Sequence, residues 1–509
     1  MKRRTELWTA GLRWLALLIM GCDLLTGRPV GGQPPAPRTP QPAGQPATSP
    51  PATKPPATRP PATAPPATRP AAPGRPRTLA DLLPPGAAAP AESQRRRVVH
   101  QPLEPQRAEA AGLRRLSGKH VTIFTDVPSS PAVDELPAVF DLALPSWCKY
   151  LQVDPQLVRD WKLVGYLMKD ADRFRAVGAL PDELPSFRNG FQMGDEFWWY
   201  EQETDYYRRH LMLHEGTHAF MNRWLGGLGA PWFAEGTAEL LATHRWTDGQ
   251  LTLHYLPQQR TEAPGWARIK IVKDEFSAGR GQPLEQIFAY ALNAHLQNET
   301  YGWCWAAAQF LDAHPLTQAA FRERFAAVRD AGPEFTRPLL ESLEEHWPAL
   351  SEEWQLFVAQ ADYGYDVARA AIQHRPAAPL TTPEVRLKIS AAAGWQSTGI
   401  QLEQGVSYEV AAVGRYQLVA GPPIWWCEPG GVTIRYFRGQ PLGMLLGAVR
   451  PAVLSSDRLT PLANPEPIGR RRIMTPSGAG VLYLKINEFP GELADNSGDL
   501  LVRVRKAPE

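Results

Sequence analysis

Proline sets the first division of this chain. From Pro34 to Pro73 a proline recurs every two or three residues, including four tandem PPATx units from Pro50 to Arg69. No acidic residue occurs between Leu24 and Ala80. A segment of this kind has no apolar surface to bury and favours extended polyproline II, which advances ~3.1 Å per residue. Residues 23–94 therefore read as a linker whose threonines offer O-glycosylation sites, and folded sequence is expected from about Arg95 onward. The remaining length has room for two domains. Lys+Arg 54 against Asp+Glu 52 leaves a formal charge of only +2. That balance gives no electrostatic footprint for nucleic acid.

Residues 1–22 read as an export signal. Lys2, Arg3 and Arg4 precede an apolar run, Leu12 to Gly21, that is short for a membrane span. The run ends I-M-G-C at Ile19–Cys22, which resembles the lipobox of bacterial lipoproteins, with Cys22 as the lipid-bearing residue. The alternative is an uncleaved signal anchor. Both imply export to the bacterial cell envelope, with attachment to a membrane.

Between residues 95 and 375 the pattern is α+β. V-T-I-F-T-D-V (Val121–Val127) alternates as a strand does and stops at Pro128. A helical stretch carrying Phe140, Leu144 and Trp147 follows, then a second apolar strand at Leu163–Met168. G-F-Q-M-G-D-E-F-W-W-Y-E-Q (Gly190–Gln202) reads as a further strand or hairpin. Tyr206 to Leu225 has no proline and an apolar stripe through Leu211, Phe220 and Trp224.

The chemistry lies on that last helix. His214 and His218 are four apart, so both imidazoles project from one face about one turn apart. At that spacing two neutral ring nitrogens reach one Zn²⁺ at about 2.0–2.1 Å each. Glu215 stands on the adjacent strip, close enough to take a proton from an attacking water without ligating the metal. After W-L-G-G-L-G-A, Pro231 opens a second helix, P-W-F-A-E-G-T-A-E-L. A hairpin through Gly226–Gly229 brings Glu235 to the two histidines as third ligand and leaves a fourth position for water. Glu239, one turn on, is placed to accept a hydrogen bond from the outer nitrogen of a ligand histidine.

H-E-G-T-H-A-F followed by W-F-A-E-G-T-A-E-L resembles the peptidase MA-like gluzincins, zinc metallopeptidases related to thermolysin. The resemblance implies a thermolysin-like fold, with His214, His218 and Glu235 as zinc ligands and Glu215 as general base. Related domains carry an oxyanion donor on a later helix. Tyr301, in N-E-T-Y-G-W-C-W, is the candidate, with a packed aromatic at a helix start as the alternative and His295 as the fallback. His210 lies one turn before His214 and reads as a surface residue or a support behind the ligands. His244 reads as a satisfied histidine at a helix end. An edge strand before the active helix pairs with substrate in such folds, and Gly190–Gln202 takes that place. Its Phe197, Trp198, Trp199 and Tyr200 read as core or as subsite lining.

Residues 384–509 alternate apolar and polar with Gly and Pro turns, as in an all-β sandwich. A-A-G-W-Q-S-T-G-I-Q-L-E-Q-G-V-S-Y-E-V and L-K-I-N-E-F-P-G-E-L-A-D-N-S-G-D-L-L-V resemble the calcium-dependent galactophilic lectins of bacteria. The resemblance implies Ca²⁺ and galactose-containing glycans as ligands, through Glu488, Glu492 (by its carbonyl), Asp495, Asn496 and Tyr416. Glu488 is one methylene longer than the family's aspartate, so the fold can persist with binding lost. Cys148 and Cys304 fall in one domain and are candidates for a disulfide, leaving Cys427 free.

The expected function is an exported zinc peptidase acting on peptide or protein substrates, with the C-terminal domain aiming it at glycans. The alternative is a non-catalytic envelope adhesin or carbohydrate-binding protein that uses the peptidase fold as scaffold.

Overall fold

The structure, a computed structural model, describes residues 103–508 apart from 292–296 and 455–457. The signal sequence, Cys22, the proline-rich linker and His295 lie outside the described residues. Among those described, no helix is long and apolar enough to cross a membrane.

Five strands form the first sheet: β1 (Arg114–Ser117), β2 (Val121–Thr125), β3 (Leu163–Met168), β4 (Gly190–Met193) and β5 (Glu196–Tyr200). Their order is β1-β2-β3-β5-β4. β2, β3 and β5 run parallel, while β1 and β4 are antiparallel edges. The period-2 pleat sorts side chains into two cores. Leu163, Leu167, Phe197 and Trp199 face the larger core, and Tyr166, Met168 and Trp198 face the smaller one. Phe197, Trp198 and Trp199 have no exposed surface, so these three are core, while Tyr200 is half-buried. Sheet alternation accounts for this: a strand with helices on both faces must be apolar on both.

Six longer helices follow the chain: α1 (Leu136–Leu151), α2 (Asp205–Phe220), α3 (Pro231–Ala242), α4 (Arg268–Ser277), α5 (Asn298–Ala313) and α6 (Trp347–Gln360). α1 and α2 pack on one another, and α2 also lies against β4 and β5. Thr204 caps α2, its side chain accepting from the Tyr207 amide at 3.2 Å. The sequence suggests one helix to Leu225, but the α-helix ends at Phe220. Met221–Leu225 widens into a π-turn that Gly226 closes at φ 84°, its amide reaching back to the Met221 carbonyl. Pro231 then opens α3 in its first turn. α3 packs closely against α5: a Cβ on Gly236 would meet the Cys304 carbonyl at 2.6 Å.

The C-terminal part is built on two larger sheets that share one apolar core, including Ile389, Val410, Leu484 and Val502, with two further two-stranded sheets, Tyr416–Val419 with Trp425–Cys427 and Val432–Phe437 with Gln440–Leu442. Across the five-stranded sheet the order is Glu466–Pro467, Leu445–Arg450, Gly480–Ile486, Gln396–Leu402 and Ala378–Pro379. The four-stranded sheet runs Arg471–Met474, Tyr408–Val413, Asp499–Lys506 and Val385–Ser390. The five-stranded sheet and the segment after it are joined to α6 by polar contacts. Arg450 Nε donates to Glu352 Oε2 at 2.6 Å, and the Thr460 hydroxyl donates to the other Glu352 oxygen at 2.5 Å. Cys148, Cys304 and Cys427 are all buried free thiols. Cys148 and Cys304 are therefore not disulfide-bonded; each is packed into the apolar core on a different helix.

Candidate metal centre

Helices α2 and α3 run back to back, and their register places donor atoms at one point. His214 Nε2 and His218 Nε2 are 3.1 Å apart. Glu235 Oε2 lies 3.2 Å from the first and 3.6 Å from the second. Ligands at about 2.0–2.1 Å from a tetrahedral ion are separated by about 3.3 Å. The three edges match that spacing. Glu235 Oε2 is buried and has no hydrogen-bond partner among the described residues, which is an expensive state for a carboxylate unless a cation shares the site. Two imidazoles and one carboxylate at this spacing are a donor set that could hold a metal ion.

Behind these three residues the groups are paired. Glu239 Oε1 lies 3.3 Å from His214 Nδ1. A proton on Nδ1 leaves the Nε2 lone pair facing the centre. Glu239 in turn accepts a two-pronged contact from Arg268, Nε to Oε2 at 2.9 Å and Nη2 to Oε1 at 2.7 Å. His210 is fully buried, with Nε2 3.0 Å from Glu239 Oε2 and Nδ1 3.1 Å from the Ala242 carbonyl. It is not a surface residue. In an antiparallel hairpin the turn before His214 faces the turn after Glu235, so His210 meets Glu239. His210, His214 and Glu239 also cluster closely enough for a metal. Both Glu239 oxygens are already taken by Arg268, however, and both His210 nitrogens have partners. That trio is a completed hydrogen-bond network, and the trio with Glu235 is the better ion site.

Glu215 is buried against the same centre. Burial raises its carboxyl to about 7, with His214 and His218 pulling the other way. It packs against the edge strand: a Cβ on Gly190 would come within 2.4 Å of Glu215 Oε1. Tyr301, in the first turn of α5, presents its ring to His214 edge-on at 6.0 Å between centroids. The Arg268 guanidinium sits 5.3 Å from the Tyr301 ring centre. His244 stands apart, stacked on Tyr206 at 4.3 Å with Nδ1 2.9 Å from the Ala242 carbonyl. Burial lowers it to about 3, so it is a neutral, satisfied histidine.

Sequence reasoning did not single out Gly190 or Arg268. A glycine at a strand start does signal a close approach. An arginine 29 residues beyond Glu239 carries no local signature of its partner.

Among the C-terminal candidates Glu488 and Asn496 are in contact, while the Glu492 and Asp495 side chains have other partners. Glu488 is buried and accepts from Asn496 Nδ2 at 2.5 Å. Glu492 pairs with Arg435 at 2.6 Å, and Asp495 accepts from the Ala420 amide at 3.3 Å. Tyr416 is buried, its hydroxyl donating to the Gly443 and Glu428 carbonyls. The three carboxylates form no group whose oxygens all come within 4.8 Å of one another. Burial raises the Glu488 carboxyl to about 8, with the Asn496 hydrogen bond pulling the other way. The extra methylene lets its carboxyl fold back onto Asn496.

No family model matches the chain, and no curated protein matches it. Among solved structures, the chain is similar over 25% of its length to one described as "EclA N-terminal domain; PllA-like lectin". The match covers 98% of that chain at 16% identity, with a TM-score of 0.19.

Proposed function

We propose that this chain is a zinc metallopeptidase of the gluzincin type that hydrolyses peptide bonds. The observation that carries the proposal is the convergence of His214 Nε2, His218 Nε2 and the otherwise unpartnered Glu235 Oε2, with edges of 3.1, 3.2 and 3.6 Å. Those three residues would hold the ion. A zinc bound there supplies Lewis acidity toward water and a substrate carbonyl.

The remaining chemistry belongs to the chain's own residues. Glu215, with a carboxyl tuned to about 7, takes the proton of the attacking water and returns it to the departing amine. A base tuned near neutrality accepts a proton and releases it again with little penalty in either direction. Tyr301 keeps its hydroxyl protonated, because burial and the neighbouring carboxylates raise it far above its ordinary value. It is thus a donor toward negative charge that develops on the substrate oxygen. Glu239 and His210 keep the ligand histidine in the required tautomer.

The test compares wild type with Glu215→Gln for zinc content and for hydrolysis of an unstructured protein. One zinc per chain is expected in both, with hydrolysis reduced by ~10³-fold or more in the variant. Absence of zinc from wild type, or full hydrolysis by Glu215→Gln, refutes the proposal.

A further inference from the structure

We infer that Arg268 is a positioning residue that ties the ligand His214 and the donor Tyr301 into one unit. Arg268 opens α4, yet its side chain is buried among α2, α3 and α5 rather than in solvent. Its guanidinium has three attachments. Nε and Nη2 fork onto both oxygens of Glu239, which is itself 3.3 Å from His214 Nδ1. Nη2 also donates to the Tyr207 hydroxyl at 3.2 Å, on the helix that carries the histidines. The guanidinium carbon lies 5.3 Å from the Tyr301 ring centre and 5.7 Å from that of Tyr207, within range of cation–π attraction.

One planar group therefore restrains a histidine through a carboxylate and a tyrosine through its ring face. Lysine cannot replace it. An ammonium retains the charge and the attraction to the rings, but it has no rigid fork to hold both carboxylate oxygens. The α4–α5 contact adds a second restraint, because Gly302, next to Tyr301, lets Ile271 approach to within 2.7 Å of where a Cβ would be.

The kinetic half of the inference rests on the peptidase reading; the metal-binding half does not. Full-length wild type, Arg268→Lys, Tyr301→Phe and the double variant are compared by zinc competition against a chelator and by steady-state hydrolysis at saturating zinc. Arg268→Lys is expected to weaken zinc by ~10–100-fold and to lower kcat by ~10-fold or more while KM stays within about twofold. Tyr301→Phe leaves zinc affinity unchanged. The double variant loses less kcat than the product of the single losses, because both changes disable one arrangement. Wild-type zinc affinity in folded Arg268→Lys, or strictly multiplicative kcat losses, overturns the inference. If wild type binds zinc but hydrolyses nothing, the peptidase reading falls and zinc affinity alone decides the role of Arg268. If Arg268→Lys does not fold, Tyr207→Phe removes only the hydroxyl that braces Nη2. Its zinc affinity should then fall by ~3-fold, and an unchanged value overturns the inference.

Discussion

Replacing Gly190 by alanine should separate catalysis from both folding and metal binding. The added Cβ would stand 2.4 Å from Glu215 Oε1 and 2.9 Å from its Cδ and Cγ, where ordinary contact begins near 3.4 Å. The carboxylate must therefore retreat by about 1 Å. What moves is the end of a flexible side chain, so the fold should lose no more than about 1–2 kcal/mol. The backbone of Gly190 lies in an antiparallel strand that alanine adopts freely. Catalysis has no such slack, because a displacement of about 1 Å in a proton-transfer group costs ~10²-fold, or about 2.7 kcal/mol at the transition state. Steady-state hydrolysis of an unstructured protein, zinc content and thermal melting are measured on wild type, Gly190→Ala, Glu215→Gln and the double variant. The expected pattern is kcat down ~100-fold, one zinc per chain, and a melting temperature within a few degrees of wild type. The double variant should be no slower than Glu215→Gln alone. A kcat for Gly190→Ala within threefold of wild type would refute the reasoning.

Further tests address other parts of the molecule. The acid limb of kcat/KM should lie above the ordinary carboxylate range and at or below about 7, the value burial gives Glu215. The rate rises with pH there because the base must shed its proton before it can accept one, and a limb at an ordinary carboxylate value would count against that tuning. Zinc should raise the melting temperature of wild type in a concentration-dependent way and leave Glu235→Ala unmoved; equal shifts would remove Glu235 from the ligand set. Glu488, with a carboxyl raised to about 8 from 4.5, contributes stability that is fully present below its ordinary value and is lost as pH rises through about 8. Denaturant unfolding should show wild type losing up to about 4–5 kcal/mol more than Glu488→Gln between pH 4.5 and 9, and parallel pH profiles would contradict the assignment. Arg450→Ala should destabilise by about 3–5 kcal/mol, since it strands the fully buried Glu352 carboxylate. Adding Glu352→Gln should recover most of the loss; no recovery would mean that packing, not charge, joins the two parts.

Much of the local structure was legible because it depends on spacing. Val121–Thr125 and Leu163–Met168 are strands whose apolar runs stand out from their flanks, and Pro231 at a helix start is a strong local signal. The pairing of His214 with His218 follows from helical geometry alone. Sequence did not reveal what depends on tertiary register. The aromatic run Phe197–Tyr200 is apolar on both faces because helices cover both sides of the sheet, and no pattern within five residues states that. The π-turn at Met221–Leu225 arises where Gly226 reverses the chain. His210 was hard to place because its neighbour, Glu239, is 29 residues away and is reached only once the hairpin closes. In the acidic loop at Glu488–Asn496 the residue types suggest a cation site but say nothing of the individual partners that each carboxylate has, Asn496, Arg435 and the Ala420 amide.

Glu235 and Glu239 show how far environment can divide identical residues. They share one helix and one face, and both approach His214. Burial would raise each carboxyl, yet both are held well below the usual range, by different cations. For Glu235 the opposing groups are His218 and His214, which must be neutral to bind a metal. Once they are neutral, its charge has nothing to balance it except an ion in the centre. For Glu239 the main opposing group is Arg268, whose charge is permanent. Glu239 is therefore balanced with or without metal. On the proposed reading the same side chain serves as ligand in one place and brace in the other, and the arginine makes the difference. Removing the positive charge should expose the difference: with Arg268→Met, Glu239 becomes an uncompensated buried carboxylate beside His210 and His214. The variant should lose about 3–5 kcal/mol in denaturant unfolding, and Glu239→Gln added to it should recover most of that loss. No recovery in the double variant would mean that packing, rather than charge balance, holds Glu239 in place.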